Sequence, residues 1–181
     1  MQINFKDKYK NEVITNLTEE FNYANPHQVP KLLKIQINQG LGISATNTKV
    51  LERAIQEMRT ITGRQPIITK AKKSVASFKI REGQPLGLSV TLRRKYMFSF
   101  LERLVHLVLP RTRDFRGLSL NSFDQYGNYN FGLTNQLVFP EIKYENVLET
   151  RGLNITIVTS AKSKKEGIAL LKSFGFPLKT N

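Results

Sequence analysis

The chain has 181 residues, enough for an ordinary domain with a real core, and carries 28 Lys and Arg against 14 Asp and Glu, a net charge of +14. It has no cysteine, which excludes disulfides, thiolate zinc sites and cysteine nucleophiles, and no run approaches the roughly 18 uninterrupted apolar residues of a membrane-spanning helix. Like charges do not stabilise a folded domain, so the excess points to a polyanionic partner, nucleic acid first and an anionic membrane surface second.

The first residues, Met1 to Asp7, have no apolar signal core and include an acid, which predicts no cleaved address. Phe5, Tyr9, Val13, Leu17 and Phe21 recur every four residues and predict an amphipathic helix that Asn25-Pro26 ends. Leu33, Ile35 and Ile37 alternate with Lys34, Gln36 and Asn38, the pattern of a strand buried on one face. Gly40-Leu41-Gly42 breaks it. A second helix follows with Leu51, Ala54, Ile55, Met58 and Ile61 inward, stopping near Gly63. A short strand at Ile67-Ile68-Thr69 runs into a stretch without clean period, closed by Gly83, Pro85 and Gly87. It reads as a protruding basic loop or hairpin tip at about 70–87.

Leu88, Val90 and Leu92 alternate with Ser89, Thr91 and Arg93 as another half-buried strand. A third helix carries Met97, Phe100, Leu101, Leu104, Val105 and Val108, with Pro110 at its end, before an irregular segment at 111–127. Strands at Tyr129, Phe131, Leu133 and at Leu153, Ile155, Ile157 come next. Ser163-Lys164-Lys165-Glu166 is a capping box that opens the last helix, with Ile168, Leu171 and Phe174 inward. No repeat or linker divides the chain. These elements predict one α+β domain over 1–181: a mostly antiparallel, curved sheet with helices on one face and an open, polar side.

The outward positions share a chemistry. They are Lys34, Gln36 and Asn38; Ser89, Thr91 and Arg93; Asn128 and Asn130; Asn154 and Thr156. Most are uncharged hydrogen-bonding groups, suited to ribose hydroxyls and base edges, though an ordinary wet sheet face is also half-polar. Tyr129 and Phe131 fall in register with Leu133, so the face lacks the outward aromatics that stack single-stranded bases. Docking on folded RNA fits better. Between Glu57 and Glu82 there is no acid, while Arg59, Arg64, Lys70, Lys72, Lys73, Lys79 and Arg81 are basic. Small residues separate them, so the backbone can approach phosphates, and Phe78 either packs under the loop or touches a sugar or base. Arg111, Arg113 and Arg116 around Asp114 form a second basic cluster, which could equally be a local ion-pair corner.

Enzyme readings find little support. Gly40-Leu41-Gly42 lies between a strand and a helix, as a dinucleotide fingerprint would, but no apolar parallel strand ending in an acid follows; Pro66 and a basic stretch come instead. His27 and His106 have no partner motif. Asp7, Asp114 and Asp124 make no metal-ligand spacing, and no cofactor is expected. A membrane-surface role is opposed by Asp7, Glu12, Glu19 and Glu20 on the first helix.

The stretch Gly63–Gly87 (Gly-Arg-Gln-Pro-Ile-Ile-Thr-Lys-Ala-Lys-Lys-Ser-Val-Ala-Ser-Phe-Lys-Ile-Arg-Glu-Gly-Gln-Pro-Leu-Gly) resembles the signature of the ribosomal protein L5 family. So do Val90–Arg93, Pro110–Leu118, Phe123-Asp124, Gly127–Tyr129, Phe139–Ile142, Gly152–Ile157 and the ending from Ala161-Lys162 to Phe174–Pro177, which together span almost the whole chain. The resemblance is to the bacterial or organellar type. It implies a structural protein of the large ribosomal subunit that binds 5S rRNA in the central protuberance. On that likeness the RNA face includes Asn38 and Thr91; together with the other outward strand positions and the residues after Gly63, the expected 5S rRNA site is Lys34, Gln36, Asn38, Arg64, Gln65, Ser89, Thr91 and Arg93. It further implies that Lys70, Lys72, Lys73, Ser74, Lys79 and Arg81 contact peptidyl-site tRNA. Arg111, Arg113, Asp114 and Arg116 would bridge to the small-subunit head protein S13. Large-subunit rRNA and neighbouring large-subunit proteins complete the implied partners. The implied location is the ribosome of an organelle, a plastid before a mitochondrion, or of the bacterial cytoplasm; abundant Asn, Ile and Lys fit an A/T-rich genome. One departure is visible: where the family often has Gly-Gln-Lys-Pro, this chain has Gly63-Arg64-Gln65-Pro66, with Arg64 in place of the amide.

Overall fold

The computed structural model describes residues 5–113 and 115–179. In chain order the elements are helix α1 (5–21), strand β1 (Leu32–Gly40), helix α2 (Thr48–Thr62), strands β2 (Ile67–Lys70) and β3 (Pro85–Leu92), helix α3 (94–111), strands β4 (Tyr129–Leu133) and β5 (Leu153–Thr159), and helix α4 (Lys164–Ser173). The strands form one antiparallel sheet in the order β2-β3-β1-β5-β4, so the fold is α+β. No helix among the described residues is long and apolar enough to cross a membrane. The chain groups into two compact units. One comprises the chain up to Ile35, Arg93–Phe131 and the chain from Thr156; the other comprises Gln36–Leu92 and Gly132–Ile155.

In the first unit, α1 packs against α3 and α4. A stripe of one apolar residue every four drifts around an ordinary helix of about 3.6 residues per turn. Here a wide turn at Tyr9–Val13 takes up part of that drift, and Phe5, Val13 and Leu17 are all fully buried. Phe5, Tyr9 and Phe98 meet the ring of Phe174, which reaches them from just beyond α4. Helix α3 also contains a wide turn, Leu104–Val108, just before Pro110, whose missing N–H and ring cannot be fitted into a regular helix. Ser163 caps α4, accepting from the Glu166 N–H, and the Glu166 carboxylate reaches back to the N–H of Lys162, one residue before the cap.

The irregular segment after α3 is held from the chain's far end. Leu118 forms a parallel bridge with Leu178, and its N–H donates to the Pro177 carbonyl at 2.8 Å. Gly117 sits at φ +94° against Lys179, a conformation and a closeness that favour glycine.

In the second unit, α2 is capped by Asn47, which accepts from the Lys49 N–H, and ends where Gly63 turns left-handed at φ +66°. It packs on β3. Strand β2 pairs antiparallel with β3, Ile67 opposite Ser89 and Thr69 opposite Gly87, and forms the sheet edge.

Two expectations need correction. Leu33 is 40% exposed, while Leu32 is buried. The inward position after Leu32 is Ile35, three residues on rather than two, so alternation slips by one at the start of β1 and is regular only from Ile35. Asn128 does not lie open on a strand. Its side chain donates to the Asp124 carboxylate at 2.7 Å and accepts from the Thr159 N–H at 3.0 Å, so it is used up in the turn before β4.

Candidate nucleic-acid interface

The second unit holds most of the predicted site. From Ile35 onward β1 buries Ile37 and Gln39 and turns Gln36 and Asn38 outward. Strand β3 buries Leu88, Val90 and Leu92 and leaves Thr91 exposed and Ser89 half-exposed. The two strands are neighbours, so these four polar side chains share one sheet face; Asn154 on β5 is exposed as well. Gly87 lies so close to the Gln39 carbonyl that an added Cβ would come to 2.7 Å of it. That contact fixes β3 beside β1 at the root of the hairpin.

Arg64 and Gln65 are exposed at the elbow between α2 and β2. The buried Thr62 hydroxyl shapes this elbow: it donates to the Met58 carbonyl at 2.7 Å and accepts from the Arg64 N–H at 3.2 Å. Thr62 escaped the sequence reading because its role depends on the turn at Gly63. Ile67 was also missed as a surface residue: it is 71% exposed, on the edge strand and opposite Ser89.

Beyond Lys70 the chain makes an ordered excursion back to Pro85. Ala71 donates to the Gln84 carbonyl at 2.9 Å and accepts from the Gly83 N–H at 3.0 Å. Ser74 accepts from the Glu82 N–H at 2.9 Å, and the Gln84 side chain accepts from the Arg81 N–H at 2.9 Å. At the tip Val75 and Ile80 pair, enclosing one helical turn at Ala76–Phe78 with Lys79 left-handed at φ +53°. Lys70, Lys72, Lys73, Ser74, Lys79 and Arg81 are all exposed on this hairpin. Phe78 does not pack under it; it is 66% exposed.

The first unit holds the remaining predicted residues. Lys34 is half-buried where β1 slips register, and Arg93 is exposed at the entry to α3. Asn130 is exposed and accepts from the Thr156 hydroxyl at 3.1 Å. Arg111, Arg113 and Arg116 are exposed; Asp114 lies outside the described residues.

The glycines at 40 and 42 do not make a phosphate-binding turn. Gly42 opens a separate short helical turn, Gly42–Thr46, and α2 begins only after Asn47, so the glycines do not lead into a helix N-terminus. Among the described residues, no group of three His, Cys, Asp or Glu could hold a metal ion.

The second unit also contains a buried polar clamp that sequence reading missed. Gln136 is fully buried; its amide donates to the Glu149 carbonyl at 2.8 Å and to the Glu57 carboxylate at 3.4 Å, and its oxygen accepts from the Arg151 N–H. Burial pushes the Glu57 carboxyl above its usual range, against the opposing pull of Gln136, Arg151 and Arg53.

A family model described as "Ribosomal protein L5" matches residues 25–81, and the model for the C-terminus of that family matches residues 85–178. The chain belongs to the ribosomal protein L5 family. It is 64% identical over 176 residues to the large ribosomal subunit protein uL5c of Heterosigma akashiwo, covering 97% of each chain. It is 55% identical to uL5c of Rhodomonas salina over 181 residues, all of both chains, and 51% identical to uL5 of a Picosynechococcus species over 179 residues, 99% of each. The L5 family is structural rather than enzymatic, and its members here come from plastid and bacterial ribosomes. The chain is accordingly a structural ribosomal protein of the large subunit, acting in translation, of plastid or bacterial type. The two L5 models meet between Arg81 and Pro85, inside the basic hairpin.

Proposed function

We propose that this chain anchors 5S rRNA in the central protuberance of the large subunit through the outward face of β1 and β3. The supporting observation is the pairing of two features in one compact unit. Gln36, Asn38, Ser89 and Thr91 present uncharged hydrogen-bonding groups on neighbouring strands, and the hairpin rooted in β3 adds cations with no acid between Glu57 and Glu82. Polar groups on a rigid sheet can fix register on a folded RNA, and the cations supply the sequence-independent attraction. Arg64 and Gln65 extend this surface at the elbow; Lys34 and Arg93 are assigned to the same RNA.

The hairpin is assigned to peptidyl-site tRNA through Lys70, Lys72, Lys73, Ser74, Lys79 and Arg81. The Ser74 hydroxyl is partly engaged in holding Glu82, so the lysines and Arg81 carry most of that contact. Arg111, Asp114, Arg113 and Arg116 are assigned to the bridge with the small-subunit head protein S13. Large-subunit rRNA and adjacent large-subunit proteins are the remaining partners. The chain is read as a single ribosomal-protein domain over 1–181, for which one cooperative unfolding transition by two spectroscopic signals is the test.

The decisive experiment is retrieval of the protein with its bound RNA, followed by sequencing. Recovery of 5S rRNA, with affinity falling steeply as salt rises, supports the reading; recovery without 5S enrichment, or a flat salt dependence, overturns it.

A further inference from the structure

We propose that Phe78 is a base-stacking residue: the hairpin tip grips an unpaired nucleobase between this ring and the surrounding cations. The inference rests on the assignment of the hairpin to RNA and sharpens what kind of RNA it takes.

Three observations lead there. Phe78 is 66% exposed at the apex of a strongly basic excursion, well beyond the 39% of Val75 beside it, although apolar burial favours the opposite. The tip is not a loose loop that happens to expose it. The Val75–Ile80 pairing at 2.9 and 3.2 Å, the Phe78 N–H to the Val75 carbonyl at 3.3 Å and the Lys79 N–H to the Ala76 carbonyl at 3.1 Å build a small closed hairpin with the ring outside. A ring presented on such a support loses little freedom when it binds. Finally, Lys72, Lys73 and Lys79 are exposed on the same excursion and Arg81 follows Ile80, so whatever meets the ring also meets positive charge and no acid before Glu82. A hydrophobic protein partner would not call for that charge. A nucleobase with its phosphates does, since every base offers a flat face and the cations take the backbone. In a closed duplex base faces are already stacked on each other, so the preferred partner is RNA with an unstacked base, as in a loop.

The test uses the full chain and two fluorescently labelled RNAs: a fully closed duplex with capped ends, and the same duplex interrupted by an unpaired adenine loop. Affinities are measured by anisotropy for wild type, Phe78→Ala, Phe78→Leu, Phe78→Tyr and the double variant Lys72→Glu/Lys73→Glu. Because Phe78 is exposed, its substitution leaves the fold intact, which circular dichroism verifies. The expected result is a loss of about five- to a hundredfold on the looped RNA for Phe78→Ala and Phe78→Leu, retention by Phe78→Tyr, and no change beyond twofold on the closed duplex. Equal binding of the looped RNA by wild type and Phe78→Ala overturns the stacking role, as does full retention by Phe78→Leu. If Lys72→Glu/Lys73→Glu weakens both RNAs while Phe78→Ala weakens neither, the hairpin contacts RNA and only the stacking inference fails. If the charge reversal weakens neither, the assignment of the hairpin to RNA fails as well.

Discussion

The α-carbon of Gly87 on β3 faces the main-chain carbonyl of Gln39 on β1, with room for hydrogen but not for a methyl group, since a Cβ would stand 2.7 Å from that oxygen. The basic hairpin starts from this contact, with Thr69 paired across to Gly87. Gly87→Ala is therefore expected to force the two strands apart and destabilise the protein by about 1–3 kcal/mol, as overpacking does. Urea unfolding of the variant measures it, and an unchanged midpoint would contradict the close approach.

The polar face makes a prediction about binding rather than folding. Asn38→Leu and Thr91→Val alter exposed side chains and should leave thermal stability nearly unchanged. Each should weaken 5S rRNA binding by roughly 1–3 kcal/mol, the cost of a hydrogen bond lost in a desolvated interface. Filter binding at fixed salt tests this; wild-type affinity in both variants would remove the sheet face as the RNA site.

Charge reversal in the hairpin should act on another ligand. Lys72→Glu/Lys73→Glu places acids among the cations of the excursion. It is expected to spare 5S rRNA binding apart from a modest long-range effect, while weakening retention of peptidyl-site tRNA in assembled ribosomes. Both quantities are measured on the same double variant. Loss of 5S rRNA binding with tRNA retention intact would reassign the hairpin to 5S rRNA.

Glu57 supplies a pH signature. Burial, the largest influence, raises its folded carboxyl above the usual 4.5 despite the opposing contacts. The folded protein thus holds this proton to higher pH than the unfolded chain does. The stabilisation is present below the unfolded value and is lost as pH rises through the folded one. Glu57→Gln, which keeps an oxygen acceptor for Gln136, should flatten that decline. Denaturant midpoints compared between the two proteins from acid to neutral pH check the direction; parallel curves would show that Glu57 is not the group responsible.

Much of this protein was legible from the chain itself. The acid-free run between Glu57 and Glu82 is a property of composition and needs no fold to be seen. The alternation of Ile35 and Ile37 with Gln36 and Asn38, and of Val90 and Leu92 with Ser89 and Thr91, assigns faces because side chains on a strand alternate regardless of what lies beyond it. Glycine at 63 and the Ser163–Glu166 box mark helix ends by local geometry. Other features depended on contacts and backbone turns that exist only in the folded chain. The exchange of Leu33 for Leu32 in the core follows from a slip at the start of β1, which no window of alternation contains. Gln136 looks like an ordinary loop glutamine until Glu57, 79 residues earlier, comes to its amide. Asn128 is withdrawn from the open face by Asp124 and Thr159 together. Phe78 had two places to go, under the hairpin or out of it, and only the closed pairing of Val75 with Ile80 leaves it outside. Local pattern and charge could be read because they add along the chain; these four assignments could not, because each depends on how the folded backbone pairs, turns or slips, which side-chain periodicity does not state.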